Sequence, residues 1–161
     1  MLGHVYSKLY GIRFIALRFF TVYGPGQRPD LAIHKFTKAL LASKPITMYG
    51  DGESSRDYTY VDDIVSGIKS AIHYTNSSFE IINLGNHYAV SLKQLIKILE
   101  QITGRNAVIE RFPEQLGDVP KTYADINKAK ALLGYNPAIT LEDGLKNFLD
   151  WFVQNQGILM K

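Results

Sequence analysis

The side chains equipped to grip an anion are concentrated in three short segments of this 161-residue chain. The first runs Leu17-Arg-Phe-Phe-Thr-Val-Tyr-Gly-Pro-Gly-Gln-Arg-Pro-Asp30. The second is Tyr49-Gly-Asp-Gly-Glu-Ser-Ser-Arg-Asp-Tyr-Thr-Tyr-Val-Asp-Asp63, and the third is Gln115-Leu-Gly-Asp-Val-Pro-Lys-Thr-Tyr-Ala-Asp125. Arg28 and Arg56 each present a planar fork of donors, which matches the paired oxygens of a carboxylate or a phosphate. Tyr49 adds a ring and Asp118 an acceptor. Arginines and aromatics spread over three loops make a binding surface for an anionic, ring-bearing ligand. They do not make a reaction centre. There is no Ser-His-Asp arrangement, and no two carboxylates are placed by sequence to straddle a bond. No catalytic residue is assigned to this chain. Plainer readings stand beside these. Pro25 and Pro29 shape a turn and leave Arg28 solvated. Asp57, Asp62 and Asp63 serve as helix caps or ion-pair partners, the reading favoured for Asp62 and Asp63. Tyr49 belongs to the core, and Lys35 is a solvated helix cation.

Those segments need elements to hold them. Leu2, Val5, Tyr6 and Leu9 share one face of a helix that Gly11 stops. Arg13–Phe20 is nearly all apolar, which suits a strand buried on both faces of a parallel sheet. A Gly/Pro-rich loop at 23–29 leads to a helix at 31–42. A strand at 46–49, the Asp51-Gly52 turn and an extended stretch at 57–61 follow. Asp62 or Asp63 is expected to cap a helix whose apolar stripe is Ile64, Val65, Ile68, Ala71 and Ile72. Phe79–Leu84 reads as a second buried strand. Ser91 and Gln94 form a capping box for a helix ended by Gly104. A strand at 108–112, a small helix at 126–133 and a last helix capped by Thr140 complete the pattern. Only two strands, 13–20 and 79–84, are built for a sheet interior, and a sheet normally needs more members. The chain is thus expected to be half of a larger fold.

Composition narrows the function. The length allows one domain with a real core. A formal charge of +3 without a Lys/Arg run gives no footprint for nucleic acid. The absence of cysteine excludes disulfides and thiolate chemistry, and the four histidines lack ligand spacing, so no metal site is expected. No apolar run is long enough to span a bilayer and no signal-peptide pattern opens the chain, which reads as cytoplasmic with no membrane partner.

The three segments resemble the C-terminal half of the extended short-chain dehydrogenase/reductase sugar-nucleotide epimerases, most closely the UDP-glucuronate 4-epimerases. The likeness runs from Leu2 to Trp151. It implies an α/β fold: the C-terminal part of a Rossmann-like NAD(P)-binding fold, with two strands of the parallel sheet. Residues 1–161 would be largely the nucleotide-sugar-binding domain. It also implies roles. Phe20-Thr-Val-Tyr-Gly-Pro25 stands where the family's loop passes the nicotinamide and the sugar, with Phe20 toward the cofactor and Thr21 toward the hexose. Arg28 falls near the uronate end and Lys35 near a phosphate. Arg56-Asp-Tyr-Thr-Tyr-Val-Asp-Asp63 matches the family's Arg-Asp-(aromatic)-x-x-Val-x-Asp run, which places Arg56 on the diphosphate. Tyr49 falls near the uracil. Asp118 would accept hydrogen bonds from the ribose or hold a neighbouring arginine. UDP-galactose epimerases carry an arginine just before this Gly-Asp, where Glu114, Gln115 and Leu116 stand here.

The family's reaction uses tightly held NAD and a Tyr-x-x-x-Lys pair. This sequence has neither that pair nor the glycine-rich turn that lets backbone approach a pyrophosphate. Gly24-Pro-Gly26 lacks the third glycine and the acidic ribose reader. The resemblance puts the catalytic pair before Met1. The chain alone is therefore expected to bind a UDP-sugar, to be inactive as an epimerase and to retain no NAD. It is also expected to self-associate through exposed sheet edges at 13–20 and 79–84. The alternatives are a fragment of a UDP-glucuronate decarboxylase or of a sugar-nucleotide dehydratase, and a non-catalytic binding or assembly fragment.

Overall fold

The computed structural model describes residues 2–115 and 117–159, apart from the side chains of 158 and 159. Met1, and Leu116 of the third segment, lie outside the described residues. Seven helices and seven strands follow one another in the order α1 (Leu2–Tyr10), β1 (Phe14–Phe19), β2 (Thr21–Tyr23), α2 (Ala32–Leu41), β3 (Ile46–Tyr49), β4 (Ser55–Tyr60), α3 (Val61–His73), β5 (Phe79–Leu84), β6 (Ala89–Ser91), α4 (Leu92–Thr103), β7 (Ile109–Phe112), α5 (Asn127–Leu133), α6 (Leu141–Gln154) and α7 (Gln156–Leu159) among the described residues. The architecture is α/β, as the alternation of strands and helices predicts.

β1 and β5 pair in parallel over Phe14–Phe19 and Phe79–Leu84. They are the two strands the sequence marks out as sheet-interior. Their surroundings differ from the expectation, however. Ile82 and Leu84 of β5 are fully buried, but Phe14 and Phe19 at the ends of β1 are 40% and 50% exposed, and each strand has only the other as a neighbour among the described residues. Side chains stand on the faces of a sheet, so their burial depends on what packs over those faces, and the ends of β1 are only partly covered. α1 lies against the Phe79 side of this pair, where His4 meets the Phe79 ring edge-on at 4.7 Å. The side chain buried on α1 is that of Ser7, which donates to the Ser78 carbonyl at 2.8 Å. The apolar stripe of Leu2, Val5, Tyr6 and Leu9 faces outward.

The larger core gathers α2, β3, β4, β6, α4 and α6 around Phe148, Phe152, Leu99 and Leu145. Two local signals set its helices. Ser91 accepts from the Gln94 N–H while the Gln94 side chain takes the Ser91 N–H, so the capping box forms as expected. Thr140 Oγ1 accepts from the Asp143 N–H at 3.1 Å and starts α6. Gly144 allows α6 to press on β2: a Cβ there would lie 2.1 Å from the Tyr23 hydroxyl. That hydroxyl donates to the Leu141 carbonyl at 3.3 Å. Burial foremost, then the nearby Tyr60, Asp63 and Asp143, holds Tyr23 protonated well above the usual phenol range.

A second core joins α3, α5 and β5 around Ile64, Ile82, Leu84, Ile126 and Tyr135. Here the expected cap is not made. Tyr60 occupies the N-cap of α3 and no side chain caps it. Asp63 instead faces inward, where its carboxylate accepts from the Ala138 and Ile139 N–H groups at 3.0 and 3.2 Å. Asp62 stays on the solvent side of the first turn. Ile64 and Ala71 are buried as expected, whereas Val65 and Ile72 are exposed because the second core covers a narrower face of α3 than the stripe predicts.

Candidate functional site

A cleft of about 500 Å³ opens between α2, β3, β4 and the start of α4. Lys35 comes from α2, Thr47 and Tyr49 from β3, Arg56 and Tyr58 from β4, and Asp118 from the third segment. The walls are apolar where α2 and β3 meet, through Phe36, Ala39, Pro45 and Ile46, and polar toward Ser54, Gln115 and Asp30. This is the usual composition of a small-molecule site: an apolar body with a few placed polar groups.

Strand pairing explains how separate segments converge. β3 runs parallel to β7 from Ile46–Ile109 to Tyr49–Phe112, so the Tyr49 ring packs on Phe112 with centroids 5.9 Å apart. Asp51 Oδ1 accepts from the Glu53 N–H at 2.9 Å and closes the turn after β3. The Leu92 N–H then donates to the Ser54 carbonyl at 3.0 Å, which docks α4 on that turn. Along β4, the Ser55 N–H donates to the Pro120 carbonyl at 2.8 Å and the Thr122 N–H to the Ser55 carbonyl at 3.0 Å. The third segment is thereby laid beside β4, with Asp118 next to Arg56.

Arg56 is the most constrained cation of the cleft. One terminal nitrogen donates to the carbonyls of Ser55 and Val119 at 2.9 and 2.6 Å. The other donates to Asp118 Oδ1 at 2.5 Å. Of the guanidinium's five N–H groups these bonds use three, so two remain for a ligand. Asp118 therefore holds the arginine, one of the two roles the sequence leaves open. Deeper in the wall, burial pushes the Tyr58 phenol up to about 12 against the opposing effect of Arg56, so it stays a neutral hydroxyl at physiological pH. Two cations, Lys35 and Arg56, face two carboxylates, Asp30 and Asp118, across the lining. The cleft can thus offer two positive groups to an anion, one of them held in place at Arg56, without a large excess of charge.

Of the residues singled out from sequence, the cleft unites Lys35, Tyr49, Arg56 and Asp118. Thr21, Arg28 and Phe20 do not line it. Thr21 sits one strand away, paired with Tyr58. Arg28 is solvent-exposed and forms an ion pair with Asp30 at 3.4 Å, while Asp30 itself reaches the cleft. The Leu31 N–H bonds the Arg28 carbonyl at 3.3 Å, the turn that Pro29 shapes. Phe20 is half-buried against the second core. Sequence reasoning missed Thr47, Ser54, Tyr58 and Leu92 as lining residues. Period-two alternation along β3 and β4 offered a signal for Thr47 and Tyr58; none marked Leu92.

The Gly24–Gly26 loop does not have the form of a dinucleotide cradle. Gly24 packs against α3, where a Cβ would lie 2.7 Å from Val61 Cγ1, and the Gly24–Gly26 loop leads into a turn rather than a helix N-terminus. Among the described residues no group of His, Cys, Asp and Glu could hold a metal, and no helix is long and apolar enough to cross a membrane.

Comparison with known proteins gives consistent matches. The model of the NAD dependent epimerase/dehydratase family matches residues 1–85, just over half of the chain. An uncharacterized protein of Methanocaldococcus jannaschii is 46% identical over 161 residues, which is all of this chain and 49% of that protein. A UDP-glucuronate 4-epimerase of Thermodesulfobacterium geofontis is 42% identical over 96% of this chain and 48% of its own length. Among solved structures, the UDP-glucuronic acid 4-epimerase of Bacillus cereus in complex with UDP-glucuronic acid and NAD superposes with a TM-score of 0.88 at 42% identity, covering 95% of this chain and 49% of that one. The chain spans about half the length of the curated relatives it matches.

Proposed function

Because the chain belongs to the NAD dependent epimerase/dehydratase family, we propose that its cleft is the nucleotide-sugar site of a UDP-sugar 4-epimerase, with UDP-glucuronate as the sugar nucleotide. The observation that carries this reading is the convergence of Arg56, Asp118, Lys35 and Tyr49 from three distant segments on one hollow. In this reading Arg56 takes the diphosphate with the donors that Asp118 and the Val119 carbonyl leave over. Lys35 adds a second charge and Tyr49 offers its ring to the base. Thr21 and Arg28 serve the sugar end, where Arg28 would exchange its solvent-exposed partner Asp30 for the uronate carboxylate. An exposed ion pair of this kind is worth at most about 1 kcal/mol, so the exchange is cheap.

The reaction takes the proton from the sugar's 4-hydroxyl and the hydride from C4, then returns both with the hydride on the opposite face, and NAD would supply the hydride chemistry where it is bound. Of this chain's residues, Phe20 is the one assigned to the neighbourhood of that cofactor. The 161 residues hold no Tyr-x-x-x-Lys pair and no glycine-rich turn. They bind and orient the substrate, and alone they neither turn it over nor retain NAD.

Titration calorimetry with UDP tests the site without needing catalysis. Saturable binding is expected for the chain, with a loss of at least about tenfold on Arg56→Ala, the usual penalty for removing a charge-assisted hydrogen-bond donor from phosphate. Absence of UDP binding, or binding indifferent to Arg56, sinks the assignment. NAD-dependent turnover of UDP-glucuronate by this polypeptide alone would refute the division of labour.

A further inference from the structure

One buried carboxylate has no ionic partner among the described residues and does not line the cleft. Asp57, adjacent to Arg56 on β4, is fully buried. Its Oδ1 accepts from the Asn86 N–H at 2.7 Å and the Thr59 hydroxyl at 3.1 Å. Its Oδ2 accepts from the His87 and Ala124 N–H groups, both at 3.0 Å. The four donors come from three pieces of chain: β4 itself, the loop after β5, and the end of the third segment. The backbone of the same aspartate adds a fifth tie, its N–H donating to Thr122 Oγ1 at 3.2 Å.

The surroundings are shaped for this carboxylate. A Cβ at Gly85 would lie 2.3 Å from the Ala124 Cβ and 3.2 Å from Asp57 Oδ2, so only glycine admits the approach. His87 stands at φ 59°, a left-handed backbone that residues other than glycine seldom adopt. The Asp57 bonds to the N–H groups of residues 86 and 87 hold it there. His87 Nδ1 in turn bonds the Ala124 carbonyl at 2.9 Å, a second link between the same two loops.

We propose that Asp57 is a positioning residue for the cleft: by fixing residues 122–124 it seats the preceding residues 118–120 against β4, and so places Asp118 and the Val119 carbonyl on the Arg56 guanidinium before any anion arrives. The consequence for a ligand rests on the nucleotide reading of the cleft; the placement itself does not. Asp57 does not line the hollow. It acts through Arg56, whose side chain must already be aimed for its spare donors to meet a diphosphate without a further ordering cost.

Two measurements on the Asp57→Asn variant decide the matter. The first is amide hydrogen exchange. Protection at the Ser55 and Thr122 amides, which bond across β4 and the third segment, should fall by about tenfold or more while α4 and α6 keep theirs. Unchanged protection at Ser55 and Thr122 overturns the proposal, whatever UDP does. The second is a double-mutant cycle with UDP as the probe. Asp57→Asn should weaken binding about tenfold in the parent chain and less than about twofold in an Asp118→Ala background, because both changes release the same arginine. An equal loss in both backgrounds overturns it, since a general loss of structure acts irrespective of Asp118. Should Asp57→Asn fail to fold, Thr122→Val removes one tie between the same strands and leaves the carboxylate alone. A loss of about threefold, again absent beside Asp118→Ala, is then expected, and additivity refutes the idea. If the parent chain binds no UDP, the nucleotide reading fails, and the exchange measurement still judges the placement of the segment.

Discussion

Asp63 and His34 show at the residue scale how buried polar groups set stability here. The Asp63 carboxylate takes two backbone N–H groups from residues 138 and 139, which lead into α6. Asp63→Ala leaves both donors unpaired in a half-buried site, and each such group costs about 1–3 kcal/mol. Urea unfolding of Asp63→Ala should therefore show a loss of at least about 2 kcal/mol. A loss near zero would mean that water replaces the carboxylate. His34 offers a test by pH. It is buried between the rings of Phe148 and Phe152, its Nδ1 bonds the Gln27 carbonyl at 3.3 Å, and its Nε2 has no partner. Burial lowers its pKa below the ordinary 6.5, with Lys38 in the same direction and the Gln27 carbonyl against it. The sign follows from linkage: below 6.5 the unfolded chain takes up a proton that the folded imidazole refuses. This contribution to stability is thus complete above pH 6.5 and shrinks as pH falls, by at most about 1.4 kcal/mol per unit. Urea midpoints from pH 7.5 to 5.5 should fall less steeply for His34→Phe than for the parent chain; equal slopes refute the assignment. Sequence could not supply either role. Asp63 lies in the first turn of α3, where a cap was the local expectation, and only the return of residues 138–139 gives its carboxylate inward partners. Arg56 and Asp118 were legible because their segments carry motif spacing, while Leu92 lines the cleft through a docking of α4 that no local pattern encodes.

At the scale of elements, the starts of α4 and α6 were legible, whereas that of α3 was not. Ser91 with Gln94 and Thr140 with Asp143 are short-range devices, written in residues three apart, so tertiary context barely changes them. Ser91→Ala should cost about 1 kcal/mol in chemical denaturation, the usual value of an N-cap. Gln94→Ala should cost less, because the N–H it releases on Ser91 lies at the helix edge. A larger effect at Gln94 than at Ser91 would contradict the capping-box account. Close approach is legible only in three dimensions. Gly144 reads in sequence as a mere weakness inside α6, yet the Tyr23 hydroxyl occupies the space its Cβ would need. Gly144→Ala should therefore destabilise by about 1–3 kcal/mol instead of stabilising the helix as an exposed Gly→Ala change does. Thermal unfolding of the variant settles the sign. The strands divide the same way. β1 and β5 were recognisable from their apolar runs, and their pairing follows. The exposure of β1 was not readable from its composition, because burial depends on which elements pack over the faces of the strand.

The whole molecule has two cores with unequal coverage. The larger core is wrapped by α2, α4 and α6 and carries the cleft on one flank. The smaller core leaves one side of its surroundings in solvent: Leu2, Val5, Tyr6 and Leu9 of α1, Phe14 and Phe19 of β1, and Ile81 of β5 are all exposed. The four on α1 form one stripe, and an exposed apolar stripe of this kind is unusual on a stable monomer. A strand edge beside it adds unpaired N–H and C=O groups that invite another chain. We infer self-association through this region, and the position of the cleft makes the inference separable from ligand binding. Sedimentation velocity from about 1 to 100 µM, a range that brackets micromolar affinity, should show mass rising with concentration. Replacing Leu2 and Leu9 with glutamate puts two charges on the outer face of α1, where neither side chain supports a core. That double variant should shift the distribution toward monomer while leaving UDP titrations unchanged, since no residue of α1 lines the cleft. A parent chain that stays monomeric over the whole range removes the association. A double variant that also loses UDP binding removes the independence of the two flanks, and would mean that order in the smaller core reaches the cleft through the Asp57 and Asp63 bonds that join the two.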